Sequence, residues 1–346
     1  MNQPQRTLPC DKVRDILIKA EDTTDEQYRV PRTIEELIQS GIVNLDKPSG
    51  PTSHEITAWV KKILNIKKAG HSGTLDPKVT GILPTALNTS TKILNHFLTA
   101  GKEYICIMHL HDSIPIEKVT SIIKEFEGPI YQRPPLRSSV KRKLRIRKIY
   151  YLNIIESAEN DILFQVGCEA GTYIRKLCFD IGEALGSGAH MRELRRTRVG
   201  PFQEDSTLVT LHDLLDAVAF WKEDGDESHL RKCIQPIEYA VRQFPKIIVR
   251  DSAISAICHG ASLTAPGVLK VSTGIHPNIP VAILSLKEEL IAIGIAIMTS
   301  NQMIEAEHGI IAKIDSVFMN PDTYPPWWSY KKNRDSQSES KGGKLD

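Results

Sequence analysis

Residues 69–81 read AGHSGTLDPKVTG, a loop bounded by Gly70 and Gly81 that holds the most informative side chains of the chain. In this loop, Asp76 follows glycines, which permit unusual backbone angles, and precedes Pro77, which fixes the chain after it. A carboxylate aimed this rigidly suits nucleophilic attack or proton abstraction. An Asp-Pro pair in a glycine-rich stretch is more often only a turn, and the spacing alone does not name a reaction.

The segments around this loop predict an α+β domain. Residues 41–45 predict a strand that ends at a cluster of turn formers, and the helix after it begins with the capping-box residues Thr52 and Glu55. Strands and helices then mix without a regular βαβ rhythm, so we expect a mixed sheet and not a doubly wound one. Further strands are expected at residues 102–110 and 162–166, and helices at residues 116–127, from Thr172 to Gly186 and after Thr210.

The second half of the chain changes in composition near Phe244. Short β-rich pieces punctuated by glycine and proline follow, which predicts a small β-barrel. We expect an N-terminal extension at residues 1–35, a first domain at residues 36–243, the barrel at residues 244–328 and a disordered tail at residues 329–346.

Composition places the chain among ordinary globular proteins. Apolar residues make up 41% and charged residues 25% of its 346 residues, and the net charge is +2. The longest apolar stretch, residues 291–298, is too short to span a bilayer, and the first thirty residues contain no secretory signal. The six cysteines include no Cys-x-x-Cys pair, which disfavours a disulfide framework and a zinc knuckle. We therefore expect a cytoplasmic protein without membrane contact.

The basic residues are concentrated in one run. Residues 133–148 contain eight lysines and arginines and no acidic residue. Within the run Arg145 and Arg147 alternate with Leu144 and Ile146, so a strand here has guanidinium groups on one face and apolar side chains on the other. The guanidinium face is a candidate phosphate-binding edge, and the alternative is an ordinary solvated surface.

Five ordered motifs make the chain resemble the pseudouridine synthases that modify the tRNA TΨC loop, together with their dyskerin-like relatives. The motifs are residues 44–53 (NLDKPSGPTS), 71–84 (HSGTLDPKVTGILP), 102–104 (KEY), 171–177 (GTYIRKL) and 189–202 (AHMRELRRTRVGPF). Two segments are similar to the dyskerin-like branch, which works with guide RNA: residues 108–112 (MHLHD) and 128–135 (GPIYQRPP). Two others resemble the RNA-binding PUA domain of that branch: residues 260–268 (GASLTAPGV) and 323–325 (TYP).

The resemblance implies a catalytic role for each of five residues. Asp76 is expected to be the nucleophile or base that begins the isomerisation, and Arg175 to pair with it and keep it ionised and oriented. Tyr104 is expected to stack on the flipped uracil. Tyr173 lines the same pocket and exchanges protons with the base or the sugar, and Leu194 is an apolar wall. The competing interpretation of Tyr104 and Leu194 is ordinary core packing.

The resemblance also implies an RNA-binding surface. His71 matches a residue that helps the target nucleotide to flip, and Lys47 lies in the motif that braces the catalytic loop. The N-terminal extension is expected to pack on the PUA domain. The residues expected to bind RNA are Lys47, His71, Arg133, Arg145, Arg147, His190, Arg195 and Arg196.

The leading hypothesis from the sequence is the catalytic subunit of an H/ACA guide ribonucleoprotein, a dyskerin-like enzyme that isomerises uridine in rRNA and also in tRNA. Its expected partners are guide RNA, substrate RNA and small companion proteins, and the reaction needs no metal or redox cofactor. An alternative is a stand-alone enzyme that modifies the tRNA TΨC loop. An inactive RNA-binding scaffold disagrees with the presence of Asp76, Tyr104 and Arg175 together, and a glycosidase lacks a second carboxylate in a comparable motif.

Overall fold

The computed structural model describes residues 7–21, 31–134 and 142–325. They form two compact units: the first contains the described residues up to Lys12 and those from Thr33 to Pro236, and the second contains the described residues from Val13 to Arg32 and from Ile237 to Pro325. The expected tail at residues 329–346 lies outside the described residues, as does part of the N-terminal extension. Residues 135–141 of the basic run lie outside them as well.

The strands of both units are numbered in chain order. They are β1 (Ile16–Ile18), β2 (Ile42–Lys47), β3 (Ala69–His71), β4 (Thr80–Leu87), β5 (Lys102–Leu110), β6 (Gly128–Gln132), β7 (Arg145–Ala158), β8 (Asp161–Cys168), β9 (Ala189–Val199), β10 (Phe202–Gln203), β11 (Leu208–Val209), β12 (Ile234–Gln235), β13 (Lys246–Val249), β14 (Leu263–Thr264), β15 (Val268–Ser272), β16 (Pro280–Leu284), β17 (Leu290–Ala296) and β18 (Ile310–Val317).

The helices are numbered in the same way. They are α1 (Ile34–Ser40), α2 (Ser53–Ile63), α3 (Leu94–Phe97), α4 (Ile116–Glu125), α5 (Ile174–Leu185), α6 (Leu211–Asp224), α7 (Ser228–Cys233), α8 (Ile237–Ala240), α9 (Asp251–Cys258) and α10 (Ser300–Glu305). No helix within the described ranges is long and apolar enough to cross a membrane.

The first unit is built on a mixed sheet with the strand order β11-β2-β4-β9-β5-β8-β7-β6. Most neighbours are antiparallel, but β4 and β9 meet in a short parallel joint at Thr80 with Arg195 and Gly81 with Arg196. Gly81 has a φ of +102°, and a Cβ there would lie 2.2 Å from the carbonyl oxygen of Arg196. Only glycine therefore fits this joint, which brings the end of the 69–81 loop against β9.

Local sequence signals explain where the helices of this unit begin. Thr52 and Glu55 form the predicted capping box at the start of α2, and Thr210 and Asp213 form another at the start of α6. Apolar side chains of α4 and α5 pack on β5, β7 and β8 to form one core, and a second core lies between α2, α6, β2 and β4. The first unit is thus the α+β domain with a mixed sheet that the sequence predicts.

The structure corrects several predicted boundaries. Both ends of the 69–81 loop are strands, because β3 pairs with the far end of β4 and Thr80 begins β4. Helix α4 ends at Glu125 and not at residue 127. Helix α5 begins at Ile174, with Tyr173 as its N-cap, and ends at Leu185, with Gly186 as a C-cap in the left-handed conformation.

The second unit has its own sheet, with the strand order β1-β15-β13-β16-β17-β18-β14. Strand β1, which lies in the N-terminal part of the chain, pairs antiparallel with β15. Helix α8 also belongs to this unit, because Glu238 pairs with Arg32 at 2.6 Å and accepts a hydrogen bond from the Leu290 amide. The division between the units therefore falls after Pro236, whereas the sequence places it after residue 243.

Candidate active site

The loop that carries Asp76 is held from below by a buried lysine. Lys47, the last residue of β2, is inaccessible to solvent. Its Nζ donates to the carbonyl oxygens of Pro48, Pro77 and Val79 at 2.8–2.9 Å. Two of these acceptors, Pro77 and Val79, follow Asp76, so the ammonium group fixes the backbone on the C-terminal side of the carboxylate.

A serine fixes the other side of the same carboxylate. Ser53 is the first residue of α2 and is fully buried. Its Oγ accepts a hydrogen bond from the Leu75 amide at 2.9 Å and donates one to the Leu75 carbonyl at 3.2 Å. Asp76 therefore lies at the tip of a loop, and the residues on both sides of it are held by hydrogen bonds.

Asp76 pairs with Arg175, as the resemblance implies. Nη2 of Arg175 contacts Oδ2 of Asp76 across 99 residues of sequence. The two side chains are 57% and 60% exposed, so the pair lies at the open mouth of the site. Arg175 reaches it from the first turn of α5. An exposed ion pair of this kind contributes at most about 1 kcal/mol by itself.

Behind this pair Tyr104 lies on the core face of β5, where it is only 8% exposed. Burial raises the pKa of its hydroxyl, and the neighbouring Arg196 opposes that rise through its charge and a side-chain hydrogen bond. The aromatic ring belongs to the core that also contains Leu75 and Val79 from the Asp76 loop. The ring therefore packs with the loop and forms a candidate stacking platform beside it.

Arg196 is another charged side chain buried at the site, at 1% exposure. Its Nε donates to the Ile82 carbonyl at 2.8 Å, and its Nη2 donates to the Gly73 carbonyl at 3.1 Å. It therefore ties β9 to β4 and to the Asp76 loop. The prediction that Arg196 binds RNA is wrong, because its guanidinium group is inaccessible to a phosphate.

Lys102 is a third buried cation below the same loop. Burial, together with the charge of Arg196, lowers the pKa of its ammonium group to about 8. Its Nζ donates to the Ala100 carbonyl at 2.9 Å. Lys47, Lys102 and Arg196 thus concentrate positive charge beneath Asp76, and backbone carbonyl dipoles solvate it. Lys47 is equally buried, which argues against the prediction that it binds RNA directly, and its contacts with Pro77 and Val79 fit the expected role of a brace.

His71 lies at the edge of the site in an edge-to-face contact with His54, with ring centroids 5.1 Å apart. Burial lowers the pKa of His71 to about 4, so the ring is neutral at physiological pH. A neutral ring can pack against a base, but it does not provide a positive charge for a phosphate.

The remaining two expected catalytic residues are neighbours of Arg175 and of the core that contains Tyr104. Tyr173 immediately precedes α5 and lies two residues before Arg175. Leu194 lies on β9 opposite Cys106 and packs, half-buried, on the core that contains Tyr104. The structure therefore brings Asp76, Arg175, Tyr173, Tyr104 and Leu194 to one region of the first unit.

The outer face of β9 uses its arginines within the protein. Arg195 binds both Oδ atoms of Asp46 at 2.8–3.0 Å and Glu204 at 2.6 Å. Arg192 pairs with Asp161, and Arg198 pairs with Asp11. His190 is exposed, and its Nδ1 lies 3.1 Å from Nε2 of His111.

The basic strand β7 differs from its prediction in one respect. Its side chains alternate as expected, but Leu144 and Ile146 are the more exposed, at 58% and 55%. Arg147 packs inward beside Gly171 and pairs with Glu169 at 3.5 Å. Arg145 is half-buried and Arg133 is exposed. The apolar face is thus the open one, because this part of the hairpin extends past the core.

Family models match most of the chain. A model of the TruB family pseudouridylate synthases (N-terminal domain) matches residues 61–174, and a model of the tRNA pseudouridylate synthase B C-terminal domain matches residues 175–242. A PUA-domain model matches residues 245–318, and a DKCLD (NUC011) domain model matches residues 5–57.

Whole-length similarity points to the same class. The chain is 56% identical to a probable tRNA pseudouridine synthase B of Pyrococcus horikoshii, over 94% of this chain and 99% of that protein. It is 56% identical to a chain solved in a Cbf5–Nop10–Gar1 complex, with a TM-score of 0.89 and coverage of 92% and 98%. It is 53% identical to a chain of an H/ACA ribonucleoprotein bound to a substrate RNA containing 2′-deoxyuridine, with a TM-score of 0.88 and coverage of 93% and 100%.

The mixed sheet, the Asp76 loop and the PUA domain define a pseudouridine synthase, an isomerase that converts uridine to pseudouridine. Within that class the chain belongs to the TruB family of pseudouridylate synthases.

Proposed function

We propose that Asp76 is the carboxylate that begins the isomerisation, as nucleophile or base. The reaction breaks the bond from C1′ of the ribose to N1 of uracil and forms a bond from C1′ to C5, while C5 loses a proton and N1 gains one. One carboxylate and a pocket that retains the freed base are sufficient for this exchange. The observation that carries the proposal is the pairing of Asp76 with Arg175 at the open tip of a loop whose backbone is fixed on both sides.

The exposure of Asp76 suits a substrate that must be extruded from an RNA strand. A flipped nucleotide enters a pocket and stacks on an apolar or aromatic surface there. We infer that Tyr104 provides this surface, that Leu194 closes the side of the pocket, and that Tyr173 exchanges protons with the base or sugar. The buried cations Lys47 and Arg196 keep the loop and the tyrosine in place.

We also propose that the protein acts as the catalytic subunit of an H/ACA guide ribonucleoprotein that modifies rRNA and also tRNA. Two similarities support this proposal. The similarity to a chain of an H/ACA ribonucleoprotein covers 93% of this chain, and the similarity to a chain from a Cbf5–Nop10–Gar1 complex covers 92%. Guide RNA and small companion proteins are the partners that follow. A cytoplasmic location remains a prediction.

The alternative is stand-alone action on tRNA, which is favoured by the similarity to proteins described as probable tRNA pseudouridine synthase B. The two candidates share the active site and differ in how uridine reaches Asp76. They can therefore be separated by whether modification depends on guide RNA and companion proteins.

The deciding experiment compares two substrates, a guide-complementary RNA and a tRNA transcript, each with and without guide RNA and companion proteins. We expect modification of the first substrate only when guide and companions are present. Modification of tRNA alone, with no binding or acceleration by guide and companions, would establish the stand-alone enzyme.

A further inference from the structure

The geometry of the Asp76–Arg175 pair must come from the backbones that carry it. Both side chains are more than half exposed, and an exposed ion pair is too weak to hold two long side chains in one orientation. The backbone around Asp76 is fixed by Lys47 and Ser53. The backbone that carries Arg175 needs an equivalent constraint.

The start of α5 lacks the usual constraint, a capping hydrogen bond to the side chain of the N-cap residue. Its N-cap is Tyr173, whose side chain accepts no capping hydrogen bond. The side-chain amide of Gln132 takes over this role: Oε1 accepts from the Tyr173 amide at 2.9 Å, and Nε2 donates to the Tyr173 carbonyl at 3.1 Å. Gln132 is the last residue of β6, lies 41 residues away in sequence and is 2% exposed.

We propose that Gln132 is a positioning residue for the reaction, and that it sets the direction of Arg175 and Tyr173 toward Asp76. It binds both polar groups of one backbone residue, as a neighbouring strand would, and so fixes the peptide planes on each side of Tyr173. Arg175 follows two residues later in the first turn of the helix. This role rests on the proposed function of Asp76 and Arg175.

The segment before Tyr173 is tied to the same hairpin. Thr172 donates through Oγ1 to the Glu169 carbonyl at 2.7 Å, and the Glu169 carboxylate accepts from the Lys148 amide of β7 at 3.1 Å. Residues 169–173 are therefore held by β7 at one end and by Gln132 of β6 at the other. The β6–β7 hairpin is thus linked by hydrogen bonds to the segment that precedes Arg175, and Gln132, at 2% exposure, is a buried member of this set.

The test uses two variants of the full-length chain. Gln132→Met keeps the length of the side chain and removes both hydrogen bonds. Gln132→Glu keeps the acceptor but loses the donor until its carboxyl group is protonated. The reaction is followed under single-turnover conditions at saturating protein, with whichever of the two RNA substrates the wild-type protein modifies, and RNA affinity is measured separately.

We expect Gln132→Met to slow the single-turnover rate by about tenfold to hundredfold, with RNA affinity within about twofold of wild type. For Gln132→Glu, the rate relative to wild type should rise as the pH is lowered, because protonation restores a donor and burial raises the pKa of such a carboxyl group. A purely structural role would lower stability but give a ratio that does not change with pH.

The control is Ser90→Ala, which removes buried hydrogen bonds to Gly41 and Leu87 at the end of β4 far from Asp76. It should lower stability and leave the rate unchanged. A Gln132→Met rate within twofold of wild type would overturn the proposal. If Gln132→Met does not fold, a ratio of the Gln132→Glu rate to the wild-type rate that does not change with pH overturns the proposal instead. An inactive wild-type protein would overturn the proposed function and this role with it.

Discussion

Strands β9 and β7 are both rich in arginine, yet they use these residues differently. On β9, the arginines at 192, 195 and 198 are paired with Asp161, Asp46 and Asp11, and Arg196 is buried against carbonyl oxygens. On β7, the surrounding run contains no acidic residue, and Arg147 donates to the Ile146 carbonyl at 2.9 Å and contacts Glu169 at 3.5 Å. A cluster of arginines in the sequence therefore does not by itself indicate RNA binding, because carboxylates distant in sequence can neutralise it.

The largest effect is expected for Arg196→Met. The substitution leaves the buried carbonyls of Ile82 and Gly73 without their donor, which should cost about 3 kcal/mol of stability and lower turnover by more than tenfold. Arg195→Met is the matched control on the same strand and should cost less than about 1 kcal/mol, since its partners are solvent-accessible. Urea unfolding and turnover measure both, and equal effects would remove the distinction between the two faces of β9.

Lys102→Met should raise the stability of the protein, whereas Arg196→Met should lower it. The folded state lowers the pKa of Lys102 from 10.5 to about 8, so the buried charge destabilises the fold at pH 7. The shift corresponds to about 3 kcal/mol, and loss of the bond to Ala100 offsets about 1 kcal/mol. The variant should thus be more stable by about 2 kcal/mol. In wild type, stability should rise between pH 8 and 10.5, where the unfolded chain binds more protons. Urea unfolding of wild type and Lys102→Met across this pH range measures the difference. Free energies of unfolding that change in parallel with pH would contradict a lowered pKa of Lys102.

Arg145→Glu with Arg147→Glu tests the role of β7 in RNA binding. We expect guide RNA affinity to fall by about tenfold and the salt dependence to weaken, because reversed charge repels backbone phosphates. Lys222→Glu with Arg231→Glu changes the net charge equally on α6 and α7 and serves as control. Equal losses for the two pairs would mean that only net charge matters.

Tyr104→Phe should have the smallest effect on turnover. Phenylalanine keeps the stacking surface, whereas Tyr104→Ala removes it and should lower turnover by at least tenfold. The lost hydroxyl takes a partner from Arg196, so Tyr104→Phe should still reduce stability by about 1 kcal/mol. A larger loss of turnover for Phe than for Ala would assign the catalytic role to the hydroxyl.

Much of this arrangement could be predicted from sequence because its signals are local. The capping box at Thr52 and the alternation of β5 depend on residues a few positions apart. The pairing of Asp76 with Arg175 came from family resemblance, since its partners are 99 residues apart.

The rest depends on contacts that no local pattern encodes. Burial of Arg196 follows from the parallel joint at Gly81, and the partners of Arg195 and Arg198 lie 149 and 187 residues away. The contacts of Ser53 and Gln132 were missed for the same reason, although both residues lie in motifs that the resemblance singles out.

The most direct test of the central claim is the reaction of Asp76→Asn with RNA that carries tritium at C5 of its uridines, since isomerisation releases that hydrogen. The substitution preserves size and removes the reactive charge. We expect no tritium release above background at saturating protein, with RNA affinity within about twofold of wild type. Turnover within tenfold of wild type would contradict the assignment of Asp76 as the catalytic carboxylate.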